Sequence, residues 1–102
     1  MYAGNNYKIN NVNHLRNSLK ILNCFGWCGI DQKGIMFIKL EELNATGNIG
    51  INNVNHMKDT LKILNCGWGC GIGEEGISEL KLERLSGLYR SKNEESLDPW
   101  YY

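Results

Sequence analysis

Residues 9–24 read INNVNHLRNSLKILNC, and residues 51–66 read INNVNHMKDTLKILNC. Over the longer windows 9–43 and 51–85, 21 of 35 aligned residues are identical. The leucines that open successive LxxL pairs recur every 21 residues, at Leu19, Leu40, Leu61 and Leu82. A fixed period of this length indicates that the repeat is the unit of folding. The chain is therefore an A-B-A-B alternation of 21-residue units.

Each unit joins a short alternating segment to a looser apolar return. In one B unit, Leu40, Leu43 and Ala45 occupy unit positions 1, 4 and 6. Positions 4 and 6 alternate with polar positions 3 and 5, which predicts a strand with one buried face. The return carries apolar residues three positions apart, from Ile51 to Met57, as is typical of a helical or 3₁₀ turn. One strand and one return arm make one coil.

The strand segments read LEELNATGN at residues 40–48 and LKILNCGWGC at residues 61–70. The first fits the pattern LxxLxLxxN, and the second fits LxxLxLxxC with one extra residue before its second cysteine. These segments resemble the leucine-rich repeat family over about residues 1–90. The alternating arms CGIxxxGI and NxxINNVNH look most like repeat proteins encoded by giant viruses that infect amoebae.

The resemblance implies an α/β solenoid with a short leucine-rich-repeat coil stack. A parallel sheet would form its concave face, and short helical or 3₁₀ return arms would form its convex face. The 21-residue frame predicts a partial unit at 1–18, complete units at 19–39, 40–60 and 61–81, a partial unit at 82–90 and a tail at 91–102.

The ends of the chain interrupt this frame. Because the frame opens inside a strand at Met1, one alternative is a truncated structural fragment of a longer leucine-rich-repeat protein, with no independent function. Terminal coils expose faces that a neighbour would cover. The tail residues LDPWYY either fold back over the last coil or fray. An uncapped edge can also recruit another chain and so form a homo-oligomer.

Asparagines mark the predicted turns. Asn48 and Asn6 fall where the chain leaves a strand, and an asparagine side chain can both donate to and accept from turn backbone groups. Cys28 and Cys70 stand near this point in the A units. We assign the recurrent asparagines of INNVNH to turn and cap chemistry rather than to a binding site.

The four cysteines form two Cys-x₃-Cys pairs, at Cys24 and Cys28 and at Cys66 and Cys70. Together with two nearby histidines they have the ligand types of a zinc site. Equivalent cysteines lie two coils apart, about 9.6 Å at two strand spacings. That distance exceeds the roughly 7 Å that a disulfide spans. We therefore expect buried free thiols rather than a metal site or a disulfide, and histidines that lie at the surface or bond to turns.

The remaining composition argues against several classes of function. GxSxG and HExxH do not occur in the sequence. The glycine-rich stretch CGWGCGIGEEG could suggest a phosphate loop, but it lacks the GK[ST] ending, and we interpret it as a turn that needs small residues. Eleven basic and 11 acidic residues leave no net charge to favour nucleic acid or an anionic membrane. The sequence has no apolar run long enough to span a bilayer and begins with no signal-peptide pattern. We expect a cytoplasmic, non-enzymatic protein without cofactor or metal, in the host cytoplasm if it is viral.

The solvent side of the predicted sheet is the candidate site. Apolar and aromatic residues beside Glu42 and Arg84 have the composition of a protein-contact surface. The concave face is also the usual partner-binding surface of the leucine-rich repeat family. We call the predicted contact residues the strand face: Ile21, Asn23, Phe25, Trp27, Glu42, Asn44, Ile63, Asn65, Trp68, Arg84, Leu88 and Tyr89.

The leading interpretation is a protein-protein interaction module that binds an unidentified protein through this strand face. In the alternative interpretation, the isoleucines are only strand formers and the tryptophans pack on the turns, since single exposed apolar residues are common.

Overall fold

Short parallel strands and 3₁₀ helices alternate along the chain. The computed structural model describes residues 1–67 and 69–87. The strands are β1 (Ile21–Asn23), β2 (Glu42–Asn44), β3 (Ile63–Asn65) and β4 (Arg84–Ser86). The 3₁₀ helices are Asn13–Leu15, Lys33–Ile35, Asn55–Met57 and Glu74–Ile77. Of the two forms predicted for the return arms, the 3₁₀ form is the one present, and no α-helix occurs in these described ranges.

The strands form one parallel sheet in chain order, β1-β2-β3-β4. Ile21 pairs with Glu42, Glu42 with Ile63 and Ile63 with Arg84, so each strand begins 21 residues after the previous one. Chain order and constant register mean that each coil adds one strand beside the last. This arrangement of the described residues is compatible with a solenoid-like repeat.

The first residues extend the sheet beyond β1. Tyr2 forms a parallel bridge with Asn23. The Asn23 N–H donates to the Met1 carbonyl at 2.8 Å, and the Ala3 N–H donates to the Asn23 carbonyl at 2.7 Å. Ala3 is buried against the core. The N-terminal segment thus occupies the strand position that precedes β1.

The core lies between the sheet and the return arms. Leu22, Leu43 and Leu64, at unit position 4, are at most 1% exposed. Position 6 is buried as well and holds Cys24 or Ala45 in successive coils. Ile21, at position 3, is exposed. The predicted alternation of inward and outward strand residues is confirmed.

Asparagine side chains join successive return arms. The Asn13 amide donates to the Lys33 carbonyl at 2.9 Å and accepts from the Phe37 N–H at 2.8 Å. Asn55, 42 residues later, makes the two equivalent bonds, each at 2.9 Å. Both asparagines also begin turns in which an upstream asparagine side chain accepts from their N–H. The predicted turn role is confirmed and extends to contacts between coils.

The prediction of four free thiols is wrong for one pair. Cys66 and Cys70 form a disulfide, and their Cα atoms lie 5.5 Å apart. The sequence argument considered only cysteines in different coils, whereas this bond closes a five-residue turn inside one coil. Cys24 and Cys28 are free, as predicted, but only Cys24 is buried as expected, whereas Cys28 is half-buried.

The predicted tail at 91–102 lies outside the described residues, as do Trp68, Leu88 and Tyr89 of the strand face. Within 1–67 and 69–87, no helix is both long and apolar enough to cross a membrane.

Candidate functional site

The strand register brings the first row of the strand face together. Ile21, Glu42, Ile63 and Arg84 are nearest neighbours across the four strands. Ile21 is 52% exposed and Arg84 is also exposed, whereas Glu42 and Ile63 are half-buried. Neighbouring parallel strands lie about 4.8 Å apart. Apolar and charged side chains therefore alternate along a strip of about 14 Å, three strand spacings long.

Asparagines form the second row of the strand face. The Asn23 side-chain oxygen accepts from the Phe25 N–H at 3.2 Å, and the Asn44 oxygen accepts from the Thr46 N–H at 3.0 Å. The Thr46 hydroxyl donates to the Asn65 oxygen at 2.9 Å. All three amide oxygens are engaged within the protein. This row therefore offers a partner N–H donors in preference to acceptors.

Phe25 packs against the N-terminal segment and does not form a free surface. Its ring centroid lies 5.8 Å from that of Tyr2, with the planes inclined at 54°. The ring also lies so close to Gly4 that a Cβ there would overlap it. Phe25 is half-buried in consequence. It anchors the N-terminal segment against the sheet.

Trp27 behaves differently from Phe25. Its side chain is 84% exposed, so it does not pack on its turn. It lies beside a cleft of about 420 Å³ between the loops that follow β1 and β2. The cleft is lined by Gly26, Trp27, Cys28, Gly29, Ile30, Asp31, Gly47, Asn48, Ile49 and Gly50. Trp27 therefore belongs to this loop cleft, which the sequence did not predict.

Ile49 was missed as a candidate contact residue. It is 80% exposed and lines the loop cleft with Trp27. The apolar residues of the return arm were assigned to the core by their three-residue spacing, beginning at Ile51. Ile49 lies outside that spacing, and this departure is the signal that could have identified it.

Asn48 connects the two loops of the cleft through side-chain hydrogen bonds. It is 3% exposed, and its side-chain amide donates to the carbonyls of Cys24 and Ile30, both at 3.0 Å. Its side-chain oxygen accepts from the Gly50 N–H at 2.8 Å. The prediction that Asn48 satisfies turn backbone groups is confirmed. Asn6, at the equivalent position, is exposed, and its side chain accepts from the Lys8 N–H at 3.1 Å.

Cys24 and Cys28 lie at the base of the same turn. The Cys28 thiol donates to the Cys24 carbonyl at 3.1 Å, and the Asn48 amide lies 3.4 Å from the Cys28 sulfur. Hydrogen bonds from the Cys24 thiol, the Ile30 N–H and the Asn48 amide stabilise the Cys28 thiolate. They lower the pKa of Cys28 to about 7, against the opposing effect of burial.

The pKa of Cys24 is raised, in contrast to that of Cys28. Its hydrogen bond to Cys28 raises the pKa because the thiol proton is the one donated, and burial of the side chain raises it further. Cys24 is 0% exposed, whereas Cys28 is half-buried and lines the cleft. The two thiols of this pair are therefore chemically distinct.

The histidines and acidic residues do not gather with the cysteines. His56 Nε2 donates to the Ile35 carbonyl at 3.0 Å, the turn-bonding role predicted for it, and His14 is exposed. Within residues 1–67 and 69–87, no group of three or more His, Cys, Asp or Glu side chains is placed to hold a metal ion. Comparison with family models, curated proteins and solved structures found no match. Any function must be argued from the geometry of this chain.

Proposed function

We propose that this chain is a non-enzymatic protein-interaction module of the leucine-rich repeat type, which binds a protein partner through the strand face. In this proposal the parallel sheet is the concave face of a short coil stack and the 3₁₀ arms form its convex face. The observation that carries the proposal is the in-register row of Ile21, Glu42, Ile63 and Arg84.

The chemistry of that row defines the partner it fits. Two isoleucines separated by a carboxylate offer apolar contact, and the guanidinium of Arg84 lies at the β4 end of the row. A complementary segment would place apolar side chains over Ile21 and Ile63, a basic group near Glu42 and an acidic group near Arg84. The asparagine row beside them would donate hydrogen bonds to carbonyl oxygens of the partner.

The experiment compares two exposed isoleucines, one on the strand face and one in the loop cleft. We expect Ile21→Asp to weaken partner binding about thirtyfold, roughly 2 kcal/mol, because it places a carboxylate in an apolar contact. Ile49→Asp introduces the same charge outside the face and should leave affinity within about twofold of the parent. The partner is captured with immobilised wild-type protein, purified, and titrated against each variant by calorimetry.

Loss of binding in Ile49→Asp, with Ile21→Asp unaffected, would move the contact surface to the loop cleft. Retention of full affinity by Ile21→Asp and by Ile63→Asp would reject the strand face altogether. Circular dichroism of each variant shows whether its fold is intact, so that a folding defect is not read as lost contact.

A further inference from the structure

We propose that Cys28 and Cys24 form a thiol-disulfide exchange site for a small disulfide made of two aminothiol molecules. Cys28 attacks this disulfide and becomes linked to one aminothiol, which Cys24 then displaces. The product is an intrachain disulfide between Cys24 and Cys28. This inference does not depend on partner binding by the strand face. It depends on Cys24 and Cys28, which lie at the two ends of the turn that follows β1.

The first support is the repeat itself. Cys24 and Cys28 have the same spacing and the same unit positions as Cys66 and Cys70, which follow them by 42 residues. That second pair is bonded, with Cα atoms 5.5 Å apart. A Cys-x₃-Cys turn in this fold is therefore able to close a disulfide without help from another coil.

The second support is a difference in access between the two pairs. Cys66 and Cys70 are 1% and 2% exposed, so their bond is shielded from external thiols. Cys28 is half-buried and lines the loop cleft, whereas Cys24 beside it is fully buried. One pair is placed as a structural bond and the other as a reactive one, with Cys28 as the only member of its pair that a small molecule can reach.

The third support is the set of hydrogen-bond donors around the Cys28 sulfur. The Asn48 amide lies 3.4 Å from it, and Asn48 is itself held by two backbone carbonyls and by the Gly50 N–H. Donors fixed in this way stabilise a thiolate, which is the nucleophile in exchange. The lowered pKa of Cys28, about 7, agrees with this arrangement.

The cleft also indicates the class of small disulfide. It has a volume of about 420 Å³, is lined by four glycines, and carries Asp31 as its charged residue. The Asp31 carboxylate accepts from the Gly34 N–H at 3.1 Å and is exposed. Asp31 lines the same cleft as Cys28, so its carboxylate attracts a cationic ammonium group to the cleft and repels an anionic one. The site therefore favours an aminothiol disulfide over a carboxylate-bearing one.

The exchange proceeds in two balanced steps. The Cys28 thiolate attacks one sulfur of the small disulfide, forming a mixed disulfide and releasing one aminothiol thiolate. The released thiolate takes up the proton that Cys28 gave to water when it ionised. Cys24 then attacks the Cys28 sulfur and passes its proton to the second aminothiol. The Cys24–Cys28 bond forms and the second aminothiol leaves. The two protein thiols lose two electrons and two protons, and the small disulfide is reduced to two thiols.

Trypsin separates the two cysteine pairs, which makes the test direct. Cleavage after Lys20 and Lys33 releases peptide 21–33 with Cys24 and Cys28, and cleavage after Lys62 and Lys81 releases peptide 63–81 with the other pair. Folded protein is incubated with cystamine, quenched with iodoacetamide and digested without reductant. We expect peptide 21–33 to lose two hydrogens and both alkylation sites. Peptide 63–81 should remain disulfide-bonded before and after treatment.

Two variants distinguish the roles of the thiols. Cys24→Ser should stop at the first step and accumulate the mixed disulfide on Cys28. Cys28→Ser should form no adduct, because Cys24 is buried. Oxidised glutathione, an anionic disulfide, should react at least severalfold more slowly than cystamine, and Asp31→Asn should reduce that difference.

The proposal is overturned if peptide 21–33 of the wild-type protein keeps two alkylatable thiols after cystamine treatment. It is equally overturned if the first adduct appears on Cys24, or if Cys24→Ser traps no mixed disulfide while remaining folded. The number of alkylatable thiols in peptide 21–33 is measured on the wild-type protein alone. This test therefore does not depend on whether a variant folds.

The pH dependence of Cys28 alkylation is a separate prediction. With a pKa of about 7, Cys28 should react with iodoacetamide at a rate that rises with pH around a midpoint near 7 and falls in acid. An ordinary thiol with a pKa of about 8.5 is only about 3% ionised at pH 7, so Cys28 has about 16-fold more thiolate. The lower basicity reduces its nucleophilicity about fivefold, which leaves a net gain of roughly threefold.

The control for this measurement is the same peptide in urea-unfolded protein, where the midpoint should return to about 8.5. Identical profiles for folded and unfolded protein would show that the turn does not activate Cys28. Rates are read from the alkylated fraction of peptide 21–33 after short exposures at each pH.

Discussion

Replacing Asn48 by alanine should lower the free energy of unfolding by about 3–5 kcal/mol. The side chain is buried and donates to the carbonyls of Cys24 and Ile30 in the preceding coil. Its oxygen also accepts from the Gly50 N–H. Alanine would leave the Ile30 carbonyl and the Gly50 N–H without these partners and the Cys24 carbonyl with only the Cys28 thiol as donor, at about 1–3 kcal/mol for each group that water cannot reach. Urea unfolding followed by circular dichroism measures the loss.

Asn6 provides a matched control, because it occupies the same unit position 42 residues earlier. Its side chain is exposed and accepts only a local hydrogen bond from Lys8, so Asn6→Ala should cost no more than about 1 kcal/mol. Equal losses in the two variants would mean that local turn geometry, and not the contact between coils, is what Asn48 stabilises.

The strand register is the part of the fold that the sequence predicted best. A 21-residue period places Ile21, Glu42, Ile63 and Arg84 in one row, and these residues are paired in the sheet. The period-2 pattern also predicted that Leu43 is buried while its neighbours face outward. Both predictions depend only on local spacing, which a repeat applies identically in every coil.

Loop geometry was predicted less well because it depends on contacts that local spacing does not define. The Cys66–Cys70 bond was missed because distances were considered only between coils, although a turn brings its own ends together. The loop cleft is lined by residues of two neighbouring turns, so no pattern within one turn reveals it. The Asn48 amide that lies 3.4 Å from the Cys28 sulfur likewise comes from the next coil, 20 residues away.

The alternation of A and B units has its own physical basis in the return arms. Asn13 and Asn55 of the B arms reach the backbone of the A arm that follows. The A arms carry glycine where the B arm approaches. The Val12 N–H donates to the Gly34 carbonyl at 3.0 Å, and the Val54 N–H donates to the Gly76 carbonyl at 2.9 Å. Because two different arms pack against each other, the sequence is most similar between segments that lie 42 residues apart, which is one A unit plus one B unit.

Gly34→Ala and Gly76→Ala test this fit between arms, and each should destabilise the protein by about 1–3 kcal/mol. A Cβ at Gly34 would overlap the Asn10 carbonyl oxygen, and a Cβ at Gly76 would overlap the Asn52 carbonyl oxygen. Neither glycine has a positive φ, so alanine is acceptable to the backbone and only space opposes it. Two such losses together would remove a large part of a typical stability of about 5–15 kcal/mol.

Gly67→Ala is the control that separates steric overlap of the added Cβ from the general effect of replacing glycine by alanine. A Cβ there would meet Thr46 Cγ2 at 3.7 Å, an ordinary contact, and the residue has no positive φ. Because alanine restricts the unfolded chain more than glycine does, this change should stabilise by about 0.4–1 kcal/mol. Opposite signs at Gly67 and Gly34 in urea unfolding would show that the A arms need glycine for close approach. A stabilised Gly34→Ala would instead mean that the arms separate freely, and that the 42-residue alternation does not arise from their packing.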